Sequence, residues 1–255
     1  MKAYEIKDII EKKFPSHLAE SWDNVGILLG RTEKEVKKVL VTLDVTFDSV
    51  REAIEENCDM IVSHHPILFS PIQRLTDETF EGQMLLDLIK NDITVFAAHT
   101  NLDEAIGGLS DILAEMFSLK NPQVVLKTDY DGVGLGRIGD IDETSALEFA
   151  YKAKELLNTS VRLSGDENKK VKRVAVASGA SDDIIGEAKK MGADLILTGD
   201  LKYHRAWDAV SLGVAVVDAG HYPTEIMCMD IFSELLKDTG IEIVKSKNKD
   251  IFKYI

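Results

Sequence analysis

Hydrophobic positions along this chain fall into short apolar runs separated by segments with helical spacing. Residues 4–13 set Ile6, Ile9 and Ile10 on one side of a short amphipathic helix. Ala19 to Gly30 combines Trp22, several turn formers and Ile27-Leu28-Leu29, which predicts a loop entering a strand that Gly30 closes. Lys38 to Leu43 reads as a buried strand ending at Asp44, and Thr46 is placed to cap a helix that runs to about Asn57. Asp59 to Ser63 is the next strand and runs into His64-His65-Pro66. A polar, irregular connection over 66–78 leads to a helix over 79–90. The strand Ile93 to Ala98 ends in His99-Thr100-Asn101-Leu102-Asp103, and helical sequence resumes near Ser110 and fades before Asn121-Pro122.

Beyond residue 126 the composition shifts. Residues 131–139 are glycine-rich and contain Gly-x-Gly, but helical spacing returns only near Thr144. A dinucleotide-binding loop needs its glycines between a strand and a helix. The stretch therefore reads as a glycine-rich strand with a tight backbone approach. A helix to about Leu157, a strand at 160–163 and a polar turn at 165–170 follow. Strands at 171–178, 194–198, 213–218 and 241–245 then alternate with helices at 182–191, 203–211 and 223–238. Such alternation predicts an α/β fold with mixed, mainly parallel sheets. In these sheets ligands collect beyond the carboxyl ends of the strands.

The pattern also repeats. At an offset of 135 residues, Lys38-Val39-Leu40-Val41 meets Arg173-Val174-Ala175-Val176, Ala53 meets Ala188, and Asp59-Met60-Ile61-Val62-Ser63 meets Asp194-Leu195-Ile196-Leu197-Thr198. At an offset of 122, His99-x-x-x-Asp103 meets His221-x-x-x-Glu225. We therefore expect two related α/β domains, residues 1–126 and 127–255, forming a pseudo-repeat.

Composition narrows the function classes. Of 255 residues 45% are hydrophobic and 29% charged, enough apolar material for a core in each half. The formal charge of −14 (30 − 44) opposes nucleic acid and anionic membranes. No apolar run approaches the ~20 residues that span a bilayer, and the N-terminus has no apolar secretory region. Two well-separated cysteines, Cys58 and Cys228, fit buried thiols in a reducing cytoplasm.

Candidate chemistry sits at the strand ends. Neighbouring side chains on a strand point to opposite faces, so His64 and His65 converge only if the chain turns there, as Pro66 forces it to. In the bland alternative they are ordinary loop residues, with His221 a solvated cap and Glu225 a favourable first-turn charge. Taken together, His64, His65, Asp103, His221 and Glu225 suit two divalent ions ~3.5–4 Å apart with open positions. Mixed nitrogen and oxygen donors without thiolate fit zinc, iron or manganese. His99 and His204 are candidate general acid/base groups, and Asp200 and Lys202 are candidate substrate contacts or outer partners.

Trp22-Asp23-Asn24-Val25-Gly26, Ser63-His64-His65-Pro66, His99 to Asp103, Thr198-Gly199-Asp200 with Tyr203-His204, and Gly220-His221 with Thr224-Glu225 together resemble the NIF-three-like family. Its members are often called GTP cyclohydrolase 1 type 2 homologues. The resemblance runs from about residue 4 to 250. It implies a dinuclear centre held in an interdomain cleft by His64, His65, Asp103, His221 and Glu225, with Trp22 a further candidate substrate contact. It also implies a homohexamer built as a trimer of dimers. The cyclohydrolase name implies hydrolysis of a nucleotide- or pterin-like ring by metal-bound hydroxide. Non-catalytic metal storage, delivery or sensing, and a scaffold with a structural metal, are the competing expectations. Asp200 stands where the family commonly has Glu, one methylene longer.

Overall fold

The computed structural model describes residues 1–253, arranged as two compact units. Unit one comprises Met1–Leu102 and Ile226–Lys249, and unit two comprises Asp103–Glu225 with the described residues from Asp250 onward. The chain crosses between them at Leu102–Asp103 and again at Glu225–Ile226.

Unit one begins with α1 (Ala3–Lys13), whose Ala3, Ile6 and Ile10 are buried. Then come β1 (Gly26–Leu29), β2 (Lys38–Thr42), α2 (Phe47–Glu55), β3 (Met60–Ser63), α3 (Phe80–Lys90), β4 (Thr94–Ala97) and the one-turn helix α4 (Thr100–Glu104), where the first crossing occurs. Thr46 caps α2 by accepting from the Ser49 backbone N–H at 3.2 Å. Strands β3 and β4 are buried along their whole length, as strands covered on both faces must be, and their apolar runs are continuous for that reason.

Unit two carries α5 (Leu109–Met116), β5 (Lys120–Lys127), β6 (Gly134–Ser145), α6 (Ala146–Leu156), β7 (Arg162–Ser164), β8 (Lys170–Val176), α7 (Ile185–Lys190), β9 (Leu195–Thr198), α8 (Tyr203–Ser211), β10 (Ala215–Asp218) and α9 (His221–Glu225). The chain then returns to unit one as α10 (Cys228–Leu236) and β11 (Glu242–Lys245).

The first sheet has the order β1-β4-β3-β2-β11, parallel except for the edge strand β1. The second has the order β5-β6-β8-β9-β10-β7, with only β8-β9 and β9-β10 parallel. The mainly parallel expectation therefore holds for one sheet, while the other is mixed.

Residues 120–127 were not expected to form a strand, because Asn121-Pro122 reads as a breaker. Pro122 is tolerated because β5 is the sheet edge and its pairing with β6 is irregular between Lys120 and Gln123. The glycine-rich stretch is a strand with a tight approach, as expected. A Cβ on Gly134 would lie 2.0 Å from the Leu126 carbonyl oxygen, and one on Gly139 would lie 2.8 Å from that of Lys120.

The division at 126/127 does not match these units. A boundary there falls at the last residue of β5 and separates β11 from β2, the strand it pairs with. Strand β11 pairs in parallel with β2, Glu242 to Lys38 through Lys245 to Val41. That partnership joins residues some 200 positions apart, and no local pattern records it.

The same backbone bonds recur in both units at the 135-residue offset. Asp59 Oδ2 accepts from the Lys37 and Lys38 N–H groups, and Asp194 Oδ2 from those of Lys172 and Arg173. Cys58 donates to the Ala53 carbonyl and Ala193 to that of Ala188, each at 2.8–2.9 Å. The later strand aligns at 121, not 122: Thr94 donates to Asp59 as Ala215 does to Asp194, and Ala98 to Ser63 as Ala219 does to Thr198. Helices α4 and α9 also start 121 residues apart. His221 therefore matches Thr100, Glu225 matches Glu104, and the shared His-x-x-x-acid spacing is displaced by one residue.

Candidate functional site

In unit one the chain turns where β3 ends. The His64 and His65 N–H groups still donate to the Thr42 and Leu43 carbonyls beyond β2, at 3.3 and 3.0 Å, while Ser63 Oγ donates to the His65 carbonyl at 2.8 Å. The two imidazoles converge, with ring centroids 4.9 Å apart and planes tilted by 42°. His99, just past β4, brings a third ring to 5.1 Å from His64 and 5.4 Å from His65. One nitrogen from each of the three rings lies within 4.8 Å of the others.

In unit two, α9 carries His221 in its first position and Glu225 in its last. Its i,i+4 spacing sets His221 Nε2 2.8 Å from Glu225 Oε2. An oxygen of Asp103 lies within 4.8 Å of one of Glu225, and Ser178 Oγ donates to Asp103 Oδ1 at 2.8 Å. Ser178-Gly179 is the turn that follows β8. Gly179 has φ +55, and a Cβ there would stand 2.0 Å from Glu225 Oε1, so only glycine leaves this carboxylate its place. A Cβ on Gly199, after β9, would meet the Gly220 carbonyl at 2.6 Å, so glycine is also what brings that turn against the start of α9.

Each imidazole is held at its Nδ1. His64 Nδ1 faces the Ala98 carbonyl oxygen at 2.9 Å, which only an N–H can satisfy. His65 Nδ1 faces Asp44 Oδ1 at 2.6 Å, His99 Nδ1 faces Asp23 Oδ1 at 2.9 Å, and His221 Nδ1 faces Asp200 Oδ2 at 2.9 Å. At His64 and His65 such a partner on Nδ1 favours the tautomer with its lone pair on Nε2, the arrangement that accompanies metal-bound histidine, whereas His221 faces a carboxylate at both nitrogens. Asp23 serves His99 and α4 together, accepting from His99 and from the Thr100 N–H and hydroxyl at 3.0 and 2.6 Å. Burial pushes its carboxyl up, but these hydrogen bonds and the His99 charge outweigh burial and hold it down to about 2.

These residues fit a divalent metal. Asp103 is 7% exposed and Glu225 3%. Two carboxylates buried so close together either share a proton or take positive charge between them, and a divalent ion supplies the second. The 2.8 Å between His221 Nε2 and Glu225 Oε2 is close to the roughly 3 Å that separates adjacent donors on one ion at ~2.1 Å.

Not every expected residue joins these groups. Asp200, expected as a substrate contact or an outer partner, is the partner of His221. Lys202 and His204 are exposed, just before and on α8, and belong to neither ligand cluster. Trp22 is exposed, its ring 6.1 Å from that of His99. Asp23, Asp44, Ser178 and Gly179 were not among the expected site residues. Asp44 and Ser178-Gly179 do follow β2 and β8, so the strand-end rule that found the histidines also reaches them.

Comparisons with known proteins identify the family and the fold. The Duf34/NIF3 (NGG1p interacting factor 3) family model matches residues 1–251. A relative from Clostridium perfringens, called GTP cyclohydrolase 1 type 2 homolog, is 38% identical over 262 residues covering 100% of both chains. Among solved structures, a Bacillus cereus protein related to NIF3 superposes with a TM-score of 0.92 at 27% identity, covering 100% of this chain and 99% of that one. Reduced HcgD from Methanocaldococcus jannaschii gives a TM-score of 0.84 at 36% identity, covering 97% and 98%.

Proposed function

Since the chain belongs to the Duf34/NIF3 family, we propose that it binds two divalent metal ions through His64, His65, Asp103, His221 and Glu225. We propose further that it uses them to hydrolyse a nucleotide- or pterin-like heterocycle. One observation carries the metal reading: every imidazole of the set has its Nδ1 tied to a carbonyl or carboxylate oxygen, the outer contact that orients a metal-binding histidine, and an ion between His221 Nε2 and Glu225 Oε2 would take the place of the proton they share. His64 and His65 belong to unit one, and Asp103, His221 and Glu225 belong to unit two. The bonds that recur around Asp59 and Asp194 support reading the units as copies of one module.

Bound ions would supply Lewis acidity and make a water acidic enough to attack at neutral pH. The protein's own groups do the rest. Ser178 orients Asp103, Gly179 leaves space for Glu225, and Asp200 and Asp44 fix the rings of His221 and His65. His99, its Nδ1 proton shared with Asp23, is the group placed to take or return a proton at Nε2. The name borne by the Clostridium perfringens relative supports the hydrolytic class. A homohexamer, as a trimer of dimers, is the assembly we propose.

Metal storage or delivery without catalysis is the second reading. It is favoured by the exposure of Lys202 and His204, which leaves the expected substrate-side groups outside both clusters.

Elemental analysis tests the ligand assignment. His64→Ala and Glu225→Ala should each lose at least one ion per chain. Asp44→Asn should keep the stoichiometry but weaken affinity roughly 10–100-fold, as loss of a histidine's outer partner does. Two ions retained in both alanine variants would refute the site. Formate or a ring-opened product from purine nucleotides then separates the hydrolase from the storage protein.

A further inference from the structure

Two half-exposed aromatic rings stand beside the imidazoles of unit one. Trp22 is 58% exposed and Phe69 50%. Their planes differ by 12° with centroids 6.1 Å apart, and Phe69 meets the His99 ring edge-on at 5.5 Å, as Trp22 does at 6.1 Å. The loops that carry them are fastened. Asn24 Nδ2 donates to the Leu68 carbonyl at 2.6 Å, Glu20 N–H donates to Thr100 Oγ1 at 2.9 Å, and the Asp23 carboxylate next to Trp22 takes both Thr100 and His99.

A large apolar side chain left in water forgoes roughly 1.5–3 kcal/mol of burial. Here two such rings are held in parallel, by polar bonds, at the edge of a histidine cluster. Near-parallel aromatic planes select a flat partner. The His99 ring beside them, its Nδ1 held by Asp23, has Nε2 for a hydrogen bond to a ring with polar atoms, which an aliphatic ligand could not use. A chain carrying −14 charges opposes a polyanionic strand, which leaves a single small ring system as the occupant.

We propose that Trp22 and Phe69 form a stacking subsite for a planar bicyclic heteroaromatic ring of purine or pteridine type, its polar edge turned toward His99. The subsite rests on the hydrolase reading above and narrows it. Phe69 becomes the specificity-determining residue, because it sets the stack while donating no hydrogen bond of its own.

The chain has two tryptophans, and the second, Trp207, is exposed on α8. In a Trp207→Phe background Trp22 is therefore the sole tryptophan emitter. Titration of that full-length variant with guanosine should quench its fluorescence saturably, whereas ribose should not. Phe69→Leu in the same background should weaken the apparent Kd about tenfold or more, on the scale of one base-stacking contact, and Phe69→Tyr should preserve it.

Absence of saturable quenching, or equal affinity in the Leu variant, overturns the subsite. A Trp22 signal that follows protein concentration instead of guanosine also overturns it, and assigns the pair to contact with a second copy. Metal content measured on the same samples separates the two failures. Lost stacking with ions retained sinks this inference alone. Phe69-dependent quenching in protein that binds no metal keeps the subsite and sinks the metal reading.

Discussion

At the scale of single residues, the buried carboxylate of Asp23 shows how one side chain anchors a site. Its side chain is fully shielded, yet three hydrogen bonds and the His99 charge keep it ionised, and its folded pKa of about 2 lies below the unfolded value of 3.8. A depressed carboxylate contributes stability that is fully present above 3.8 and disappears as pH falls toward 2. The size of that shift corresponds to something on the order of 2 kcal/mol. Asp23→Asn should therefore be less stable than the parent by about that amount in urea unfolding at pH 5. The gap should shrink when the pair is compared at pH 2.5, and a gap that stays constant would show that ionisation of Asp23 is not the cause. Of the site, the sequence showed the residues that could bind metal, because His64, His65, Asp103, His221 and Glu225 cluster at strand and helix ends. It did not show Asp44 or Asp23 as their holders, since a carboxylate beyond a strand looks the same whether it faces an imidazole or water.

At the scale of elements, period and capping were legible and close approach was not. Helix α6 begins where Ser145 and Glu148 form a reciprocal capping box, and the apolar runs of β2, β3, β4, β9 and β10 announced themselves. Strand β5 was hidden by Pro122, whose cost depends on whether the strand lies at an edge, a property of the sheet and not of the segment. The glycines of β6 carry a sharper test. At Gly134, φ is +145 and the added Cβ would sit 2.0 Å from a backbone oxygen, whereas at Gly186 in α7 the same Cβ meets nothing within 4 Å. Gly134→Ala should cost at least ~2 kcal/mol, by strain and displacement of β5. Gly186→Ala should stabilise by roughly 0.5–1 kcal/mol through helix propensity. Urea midpoints of the two variants, measured side by side, decide whether close approach or composition governs this strand.

At the scale of the whole chain, the units are unequal in sequence continuity. Unit two holds a complete six-stranded sheet within one segment, while the five-stranded sheet of unit one needs β11 from the far end. A fragment spanning 103–225 should thus give a cooperative thermal transition by circular dichroism. A fragment spanning 1–126, which lacks α10 and β11, should not. The reverse result would restore the division read from the local pattern. Repetition of motifs predicts two halves, and long-range pairing such as β2 with β11 is what shows which strands close each sheet. Among the described residues no helix is long and apolar enough to cross a membrane.

The β2–β11 pairing also bears on how the chain is made. A polypeptide leaves the ribosome at about 5–20 residues per second, so the 147 residues between Leu102 and Lys249 (249 − 102) occupy roughly 7–30 s of synthesis. Throughout that interval β2 has one edge without its neighbour, and the inserted unit can complete its own sheet first. Nascent unit one is thus a half-closed sheet with an open edge, the form in which strands recruit wrong partners. Its vulnerability to aggregation is set by the speed of translation through the insert as well as by the stability of the finished fold.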